Sequence, residues 1–272
     1  MNKYAVIGNP INHSKSPLIH AAFAEQENVC IDYQRILANK DNFKQTVNHF
    51  FNNGGNGLNV TVPFKVDAYE QCIHLNEYAL AAKAVNTISV NESKQWLGAN
   101  TDGIGLLRDL KENINISLKG KNILILGAGG ATRGILLPLL QEHTGKIVIA
   151  NRTVDKALEL ANAFNEFGLI QGCGYEDLDQ KPFDVILNAT SASLDNTMPP
   201  ISQQVVNEQS ICYDLVYSDQ ATTFMSWAIQ IGVKHTYDGL GMLIEQAAES
   251  YYIWRGFRPS TKELFSLLRP SS

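Results

Sequence analysis

Apolar and polar positions along this chain follow two alternating periods, and the alternation predicts a series of strands and helices. Tyr4-Ala5-Val6-Ile7 is a short apolar run ending at Gly8-Asn9-Pro10. Met1 to Gly8 therefore reads as a strand; a signal peptide would need a longer apolar stretch. Ser16-Pro17 opens a helix, since proline suits a first turn, and Leu18, Ala21, Ala22 and Glu25 follow at helical spacing. Asp32 to Leu37 reads as a strand and Asp41 to Phe51 as a helix. The cluster from Asn52 to Gly57 reads as a turn, and Leu58 to Val62 as a strand closed by Pro63. Asn76 to Lys83 is expected to be helical and Asn86 to Val90 extended.

The pattern pauses at Gly98-Ala99-Asn100-Thr101-Asp102-Gly103, and a helix is expected from about Ile104 to Glu112. Asn122 to Leu126 is apolar without alternation, as in a parallel strand covered on both faces. Gly127-Ala128-Gly129-Gly130-Ala131 follows at once, then a helix to about Glu142, a strand from Lys146 to Ala150 and a helix from Val154 to Phe164. Asp184 to Leu187 and Ile211 to Leu215 read as further strands. This is a βαβ series. Gly239 to Trp254 reads as an amphipathic helix with Leu240, Leu243, Ile244, Ala247, Ala248 and Tyr251 on one stripe. Two α/β lobes are expected, meeting near Thr101, with the last helices free to join either; Pro270-Ser271-Ser272 reads as a loose tail.

The 272 residues suffice for one large domain or two ordinary ones. With 44% hydrophobic and 18% charged residues, disordered and fibrous classes are excluded. A net charge of -5 does not favour a nucleic-acid partner. Cys30, Cys72, Cys173 and Cys212 are scattered without a C-x-x-C pair, which speaks against a zinc ribbon or a dithiol site and for a cytoplasmic protein with free thiols. The histidines form no spaced pair, so no metal site is expected. No apolar run approaches the ~18 residues of a membrane span.

A glycine turn between a strand and a helix is the phosphate-binding element of a Rossmann unit. Gly127 permits the tight turn, and Gly129 allows a pyrophosphate to approach the backbone at the helix N-terminus. The third glycine of G-x-G-x-x-G is replaced by Thr132. The next strand ends Asn151-Arg152-Thr153, without the acidic residue that would bind a free ribose hydroxyl. Arg152 can grip a 2′-phosphate, helped by Thr153 and by Lys156 one turn on, so NADP is preferred to NAD.

Three polar clusters lie in the first lobe. Ser14 and Ser16 stand before a helix and read either as caps or as carboxylate ligands, while His13 reads as a surface or structural residue. In Asn59-Val60-Thr61-Val62-Pro63-Phe64-Lys65, a strand period of two sends Asn59 and Thr61 to one face and Leu58, Val60 and Val62 to the other. Those two polar side chains either face water or need buried partners. Lys65 follows the strand's C-terminal end, where ligand crevices of open α/β sheets lie. The third cluster joins Asn86-Thr87 with Asn100-Thr101-Asp102-Gly103, and Asp102 could simply cap a helix.

These runs, together with Gly8-Asn9-Pro10, Asn188-Ala189-Thr190-Ser191 and Asp238-Gly239-Leu240-Gly241-Met242-Leu243, resemble the shikimate dehydrogenase family in order and from end to end. The resemblance implies an α/β protein of two lobes: residues 1–101, joined by C-terminal helices 239–272, as the substrate domain, and 102–238 as a Rossmann-type, doubly wound NADP-binding domain. It implies NADPH-dependent reduction of 3-dehydroshikimate to shikimate in aromatic amino-acid biosynthesis. Ser14 and Ser16 would hold the carboxylate. Asn59, Thr61, Asn86, Asp102, Tyr217 and Gln246 would hold ring hydroxyls, and Lys65 with Asp102 would be catalytic. The cofactor would meet Gly127, Ala128, Gly129, Gly130, Ala131, Asn151, Arg152, Thr153, Lys156 and Thr190, with Leu215 and Gly239 at the nicotinamide. Ala99 and Ser193 depart from residues common among relatives, Ser193 replacing a glycine. Alternatives are a quinate/shikimate enzyme accepting NAD and a non-catalytic sensor on the same scaffold. A monomer or homodimer is expected.

Overall fold

The computed structural model describes residues 2–269; Met1 and the tail Pro270-Ser271-Ser272 lie outside the described residues. The chain divides into two units, Met1–Gly105 with Ile244–Ser272, and Leu106–Leu243.

The first unit carries a mixed six-stranded sheet of β1 (Asn2–Gly8), β2 (Ile31–Leu37), β3 (Gly55–Val60), β4 (His74–Leu75), β5 (Thr87–Val90) and β6 (Trp96–Ala99). Their order is β2-β1-β3-β5-β6-β4. Helices α1 (Ser16–Gln26) and α2 (Phe43–Asn52) are the crossovers that make β1, β2 and β3 parallel. β5 runs antiparallel to both β3 and β6. Two short helices, α3 (Lys65–Gln71) and α4 (Glu77–Ala82), follow β3. Asn76 caps α4, its side chain accepting from the Ala79 N–H at 2.8 Å. Ile7, Leu58, Val60, Phe51, Val85 and Trp96 form the core together with Phe43 and Phe64, whose rings stack at 4.8 Å.

Two expectations from periodicity fail here. β3 spans Gly55–Val60, so half of the expected turn cluster is strand, and the strand stops two residues early. Beyond Val60 the Thr61 N–H still donates to Ile7 O and Val62 O accepts from the Asn9 N–H, but Pro63 has no N–H to give, and the chain turns as Phe64 N–H closes on Thr61 O. Val62 consequently stands out, 67% exposed, instead of joining Leu58 and Val60 in the core. On α1 the buried face is Ser16, Ile19, His20, Phe23 and Ala24, while Leu18 faces water. The spacing of Leu18, Ala21, Ala22 and Glu25 marks a helix correctly but marks its outer side.

The second unit is entered along α5 (Asp102–Arg108), which starts two residues before the expected Ile104 and continues as a π-turn over Asp109–Asn113. Its sheet is all parallel and contains β7 (Ile123–Leu126), β8 (Ile147–Ala150), β9 (Ile170–Cys173), β10 (Val185–Asn188), β11 (Ile211–Asp214) and β12 (His235–Tyr237). The order β12-β11-β10-β7-β8-β9 reverses direction between β7 and β10, as in a doubly wound sheet. Helices α6 (Gly130–Gln141), α7 (Val154–Phe164) and α8 (Thr223–Gln230) alternate with the strands. β7, β8 and β10 are buried at every position, which explains their apolar runs, broken only by Asn188 at the end of β10.

Helix α9 (Leu240–Arg255) passes from the second unit back to the first, and α10 (Lys262–Leu268) follows. Within the first unit the C-terminal half of α9 is pinned to the sheet. Trp254 stacks on Tyr4 at 4.9 Å and donates from its indole N–H to Ile88 O at 3.1 Å. Arg255 donates to both oxygens of Glu27 at 2.8 and 3.0 Å, and the Tyr251 hydroxyl donates to the same carboxylate. This fork holds the end of α9 to the end of α1. Among the described residues no helix is long and apolar enough to cross a membrane.

Candidate functional site

Two groups of site residues are built, one in each unit. In the first unit, Lys65 opens α3 immediately after the Thr61–Phe64 turn. Its Nζ donates to Asp102 Oδ2 at 2.5 Å. Asp102 opens α5, but its carboxylate does not cap that helix. Oδ1 accepts from Asn86 Nδ2 at 2.8 Å, and the Asp102 N–H donates to Asn100 Oδ1 at 3.0 Å. Asn86 also donates to Thr101 Oγ1 at 2.9 Å and accepts from the Thr101 N–H at 3.0 Å. Gln246 on α9 brings Oε1 to 3.5 Å from Asn86 Nδ2 and 3.4 Å from Thr101 Oγ1. The side chains of Lys65 and Asp102 keep 29% and 12% exposure, so the ion pair sits at the rim of a buried network and is open to a ligand.

Asn59 lies deeper. Its Oδ1 accepts from the Tyr33 hydroxyl at 2.7 Å, and its Nδ2 donates to Ser250 Oγ at 3.0 Å with Asn86 O and Thr87 Oγ1 each at 3.3 Å. Of the two readings of the polar strand face, the buried one with partners therefore holds for Asn59. Burial pushes the Tyr33 phenol well above the ordinary tyrosine range, so it remains a donor. Its ring stacks on His20 at 4.4 Å; burial pushes that imidazole down to about 3, and neither ring nitrogen makes a hydrogen bond.

Ser14 and Ser16 are adjacent, Ser14 Oγ donating to Ser16 Oγ at 3.1 Å. The N-cap of α1 is Lys15, whose side chain makes no cap hydrogen bond, while Ser14 Oγ accepts from the Ser16 N–H at the helix start at 3.3 Å. Arg35 fixes the loop by donating to Ser14 O at 2.6 and 3.0 Å. Two hydroxyls beside a helix N-terminus can donate to a carboxylate. His13 is exposed, as expected.

In the second unit the glycine turn has the form a pyrophosphate requires. Gly127 has φ +99°, a conformation that favours glycine, and the buried Thr132 donates to Gly127 O at 2.7 Å where the motif's third glycine is missing. Gly129 is the N-cap of α6 without a side-chain cap, and a Cβ on Gly129 or Gly130 would meet only open space. The free N–H groups of α6 thus face a space that an anion can enter, and a dinucleotide fits. Asn151 Oδ1 accepts from the Ala128 N–H at 3.2 Å, tying the end of β8 to the turn. Arg152, Thr153 and Lys156 are exposed beside it, and Arg152 pairs with no carboxylate among the described residues. Thr190 donates to Asn188 Oδ1 at 2.7 Å, with its methyl group against Gly127. Leu215 and Gly239 are neighbours, and a Cβ on Gly239 would collide with Leu215 O. Tyr217 belongs to this unit, whereas the other expected substrate residues belong to the first.

Ser193 has a definite place: its hydroxyl donates to the buried Asp214 at 2.6 Å. Sequence reasoning missed Tyr33, Thr101, Ser250 and Asp214. Ser250 lies one helical turn from Gln246 and so shares its face of α9. Thr101 lies inside a quoted motif. Tyr33 and Asp214 carry no local signal. Among the described residues no three His, Cys, Asp or Glu side chains gather as a metal site, and all four cysteines are free.

Comparison with known proteins agrees along the whole chain. Residues 6–88 match the family described as shikimate dehydrogenase substrate binding domain, residues 109–210 that of shikimate / quinate 5-dehydrogenase, and residues 239–263 the shikimate 5'-dehydrogenase C-terminal domain. A curated relative from Nitrosomonas eutropha, shikimate dehydrogenase (NADP(+)), is 49% identical over 269 residues, covering 99% of this chain and 97% of its own. The crystal structure of an Ael1 enzyme from Pseudomonas putida superposes with TM-score 0.94 at 42% identity, covering 100% of this chain and 99% of its own. That of shikimate dehydrogenase from Aquifex aeolicus gives TM-score 0.88 at 32% identity, covering 99% and 98%.

Proposed function

The chain belongs to the shikimate dehydrogenase family, and from that premise we propose how its residues divide the work. It is an NADP-dependent oxidoreductase that interconverts shikimate and 3-dehydroshikimate in aromatic amino-acid biosynthesis. The observation that carries the division is the Lys65–Asp102 pair, half-open at the rim of an otherwise buried polar network.

Residues 1–101 with 239–272 bind shikimate, and 102–238 bind NADP. Ser14 and Ser16 hold the carboxylate. Thr61, Asn86, Asp102 and Gln246 hold ring hydroxyls, joined by Tyr217. Asn59 takes part by releasing one of its present protein partners. Lys65 places its ammonium against the C3 oxygen, stabilises the charge that develops there on reduction and gives it a proton. Asp102 orients Lys65 through the 2.5 Å contact and accepts from a substrate hydroxyl. NADPH, when bound, supplies the hydride. Gly127, Ala128, Gly129, Gly130 and Ala131 cradle its pyrophosphate, Asn151, Arg152, Thr153 and Lys156 its 2′-phosphorylated ribose, and Thr190, Leu215 and Gly239 its other half. We further propose a cytoplasmic monomer or homodimer, in keeping with the free thiols; light scattering on the purified protein decides the second point.

Steady-state turnover of shikimate and quinate, each with NADP and NAD, tests the function. Efficient turnover of shikimate with NADP is expected. Preference for quinate with NAD would establish the broader enzyme, and no turnover of any pair would establish a sensor.

A further inference from the structure

Asp214 closes β11 and is fully buried. Four donors converge on its carboxylate. Asn188 Nδ2 and the Val216 N–H reach Oδ1 at 3.2 and 3.1 Å; the hydroxyls of Ser193 and Thr222 reach Oδ2 at 2.6 and 2.7 Å. No cationic side chain pairs with it among the described residues. A buried carboxylate without a cation is expensive, and only a complete donor set makes it tolerable. Nothing in the proposed chemistry uses Asp214, yet it ties together three segments. These are the end of β10 at Asn188, the following loop at Ser193, and the stretch from β11 to Thr222, which is the N-cap of α8.

The two proposed cofactor contacts nearby hang on this node. Thr190 donates from both its hydroxyl and its N–H to Asn188 Oδ1, and Asn188 in turn donates to Asp214. Leu215 lies between Asp214 and Val216, and Val216 O accepts from the Gly239 N–H at 3.2 Å. A cavity of about 460 Å³ opens beside these loops, lined by Ser193, Val216, Tyr217, Thr222 and Ser226. The strand order assigns this region to one half of a dinucleotide. The glycine turn and Arg152 lie on the β7–β8 side of the reversal, which serves the adenosine half; β10 and β11 lie on the other side and serve the nicotinamide half.

We propose that Asp214 is a positioning residue for the nicotinamide half of the site, acting through Ser193 and Asn188 on the loops that carry Thr190 and Leu215. The proposal rests on the reading of this unit as the NADP-binding domain. Its signature is cofactor blindness: the nicotinamide half is common to NADP and NAD, so disturbing Asp214 lowers activity with both alike, unlike a change at Arg152.

The test compares Asp214→Asn and Ser193→Ala with wild type. The readouts are kcat/KM for shikimate oxidation with NADP and with NAD, the primary isotope effect with shikimate deuterated at C3, and affinity for adenosine 2′,5′-bisphosphate, which reports the adenosine half alone. A misplacement on the ångström scale costs up to about 100-fold. Asp214→Asn is therefore expected to lose about 10- to 100-fold in kcat/KM with each cofactor, and Ser193→Ala, which removes one donor of four, about 3- to 10-fold. The NADP to NAD ratio should hold within about twofold, the isotope effect should rise as hydride transfer becomes limiting, and bisphosphate affinity should stay near wild type. Retention of more than half of kcat/KM by both variants overturns the proposal, as does a selective loss with NADP. Bisphosphate binding lost in step with activity also overturns it, since that marks general unfolding of the domain. If Asp214→Asn does not fold, Ser193→Ala alone decides by the same criteria. Wild-type protein that binds the bisphosphate but does not oxidise shikimate overturns the functional reading itself, and that arm is read first.

Discussion

Replacing Lys65 by alanine separates the catalytic role of the ion pair from its structural one. In the folded protein the change removes the ammonium 2.5 Å from Asp102 Oδ2 and leaves the carboxylate with Asn86 as its remaining side-chain donor. Because the pair lies at the rim, the loss of stability should be modest, about 1–2 kcal/mol. The kinetic loss should be larger. The oxygen that becomes an alkoxide loses its cation and its proton source, and such losses typically cost about 100-fold or more, equivalent to about 2.7 kcal/mol of barrier or above. The assay is kcat at saturating shikimate and NADP, with cofactor affinity measured in parallel and expected to be unchanged because the glycine turn belongs to the other unit. Small primary amines added to Lys65→Ala then distinguish two versions of the role. If Lys65 moves the proton, rescue should grade with the basicity of the amine; if a water carries it and Lys65 is an electrostatic anchor, rescue should not. A variant that kept more than about half of its kcat would refute the assignment.

Ser14→Ala and Ser16→Ala should raise the KM for shikimate and spare kcat, because the carboxylate they hold does not change charge during the reaction; a lost kcat at constant KM contradicts the anchoring role. Arg152→Ala should weaken NADP binding by about 10- to 150-fold, the worth of a charge-assisted contact to the 2′-phosphate, and leave NAD nearly unaffected, measured at fixed ionic strength. Equal losses with both cofactors would move the phosphate contact to Lys156 or elsewhere. Arg255→Ala should lower unfolding stability by about 2–4 kcal/mol in urea titrations, since it leaves Glu27 in a half-buried site without its fork. The guanidinium of Arg255 holds the Glu27 carboxyl below its ordinary value. This folded-state depression adds stability at neutral pH that is lost as the pH falls through the carboxylate range. Wild type should therefore lose its advantage over Arg255→Ala on acidification, and a constant difference from neutral pH to below about 4 would remove Glu27 from the account.

The second unit was the more legible half of the fold, for a physical reason. A parallel strand buried on both faces writes an unbroken apolar run, and Ile123–Leu126, Ile147–Ala150 and the first three residues of Val185–Asn188 are such runs. The elements that escaped, β4, β6, β9, β12, α3, α8 and α10, are nearly all short. His74–Leu75 is two residues long and pairs only with β6, so its extended state comes from its neighbour and not from its own composition. α3 begins at Lys65, directly after a turn that ends an apolar strand, and its seven residues expose Val66 while burying Ala68. A helix so short and so weakly amphipathic leaves no period to detect.

The site divides in a comparable way. Lys65, Asn86 and Asp102 came into view as members of polar runs at the ends of elements, and their proposed roles came from the family resemblance, since Asp102 alone could equally have capped a helix. Tyr33 and Ser250 were not, since each is a single polar residue inside an element with a partner distant in sequence, and Asp214, though it ends β11, lies outside every motif run that the resemblance rests on. Asn59 joins Tyr33 on β2 to Ser250 on α9 across separations of 26 and 191 residues, and no local pattern encodes such a bridge. What these interior residues share is the absence of any atom left for substrate in the present arrangement: Tyr33 donates to Asn59, Asn59 to Ser250, and Ser250 back to Gln246 O at 3.0 Å. The chain of bonds ends at the helix that carries Gln246, whose Oε1 stands 3.4 Å from Thr101 Oγ1 and 3.5 Å from Asn86 Nδ2. The buried residues thus hold the frame, and Lys65 with its partner Asp102 stands at its partly exposed edge. Asn59 and Thr101 fall inside motif runs whereas Tyr33 and Ser250 do not, so the frame is only half written in local sequence, and its set of distant partners becomes visible when the chain is folded.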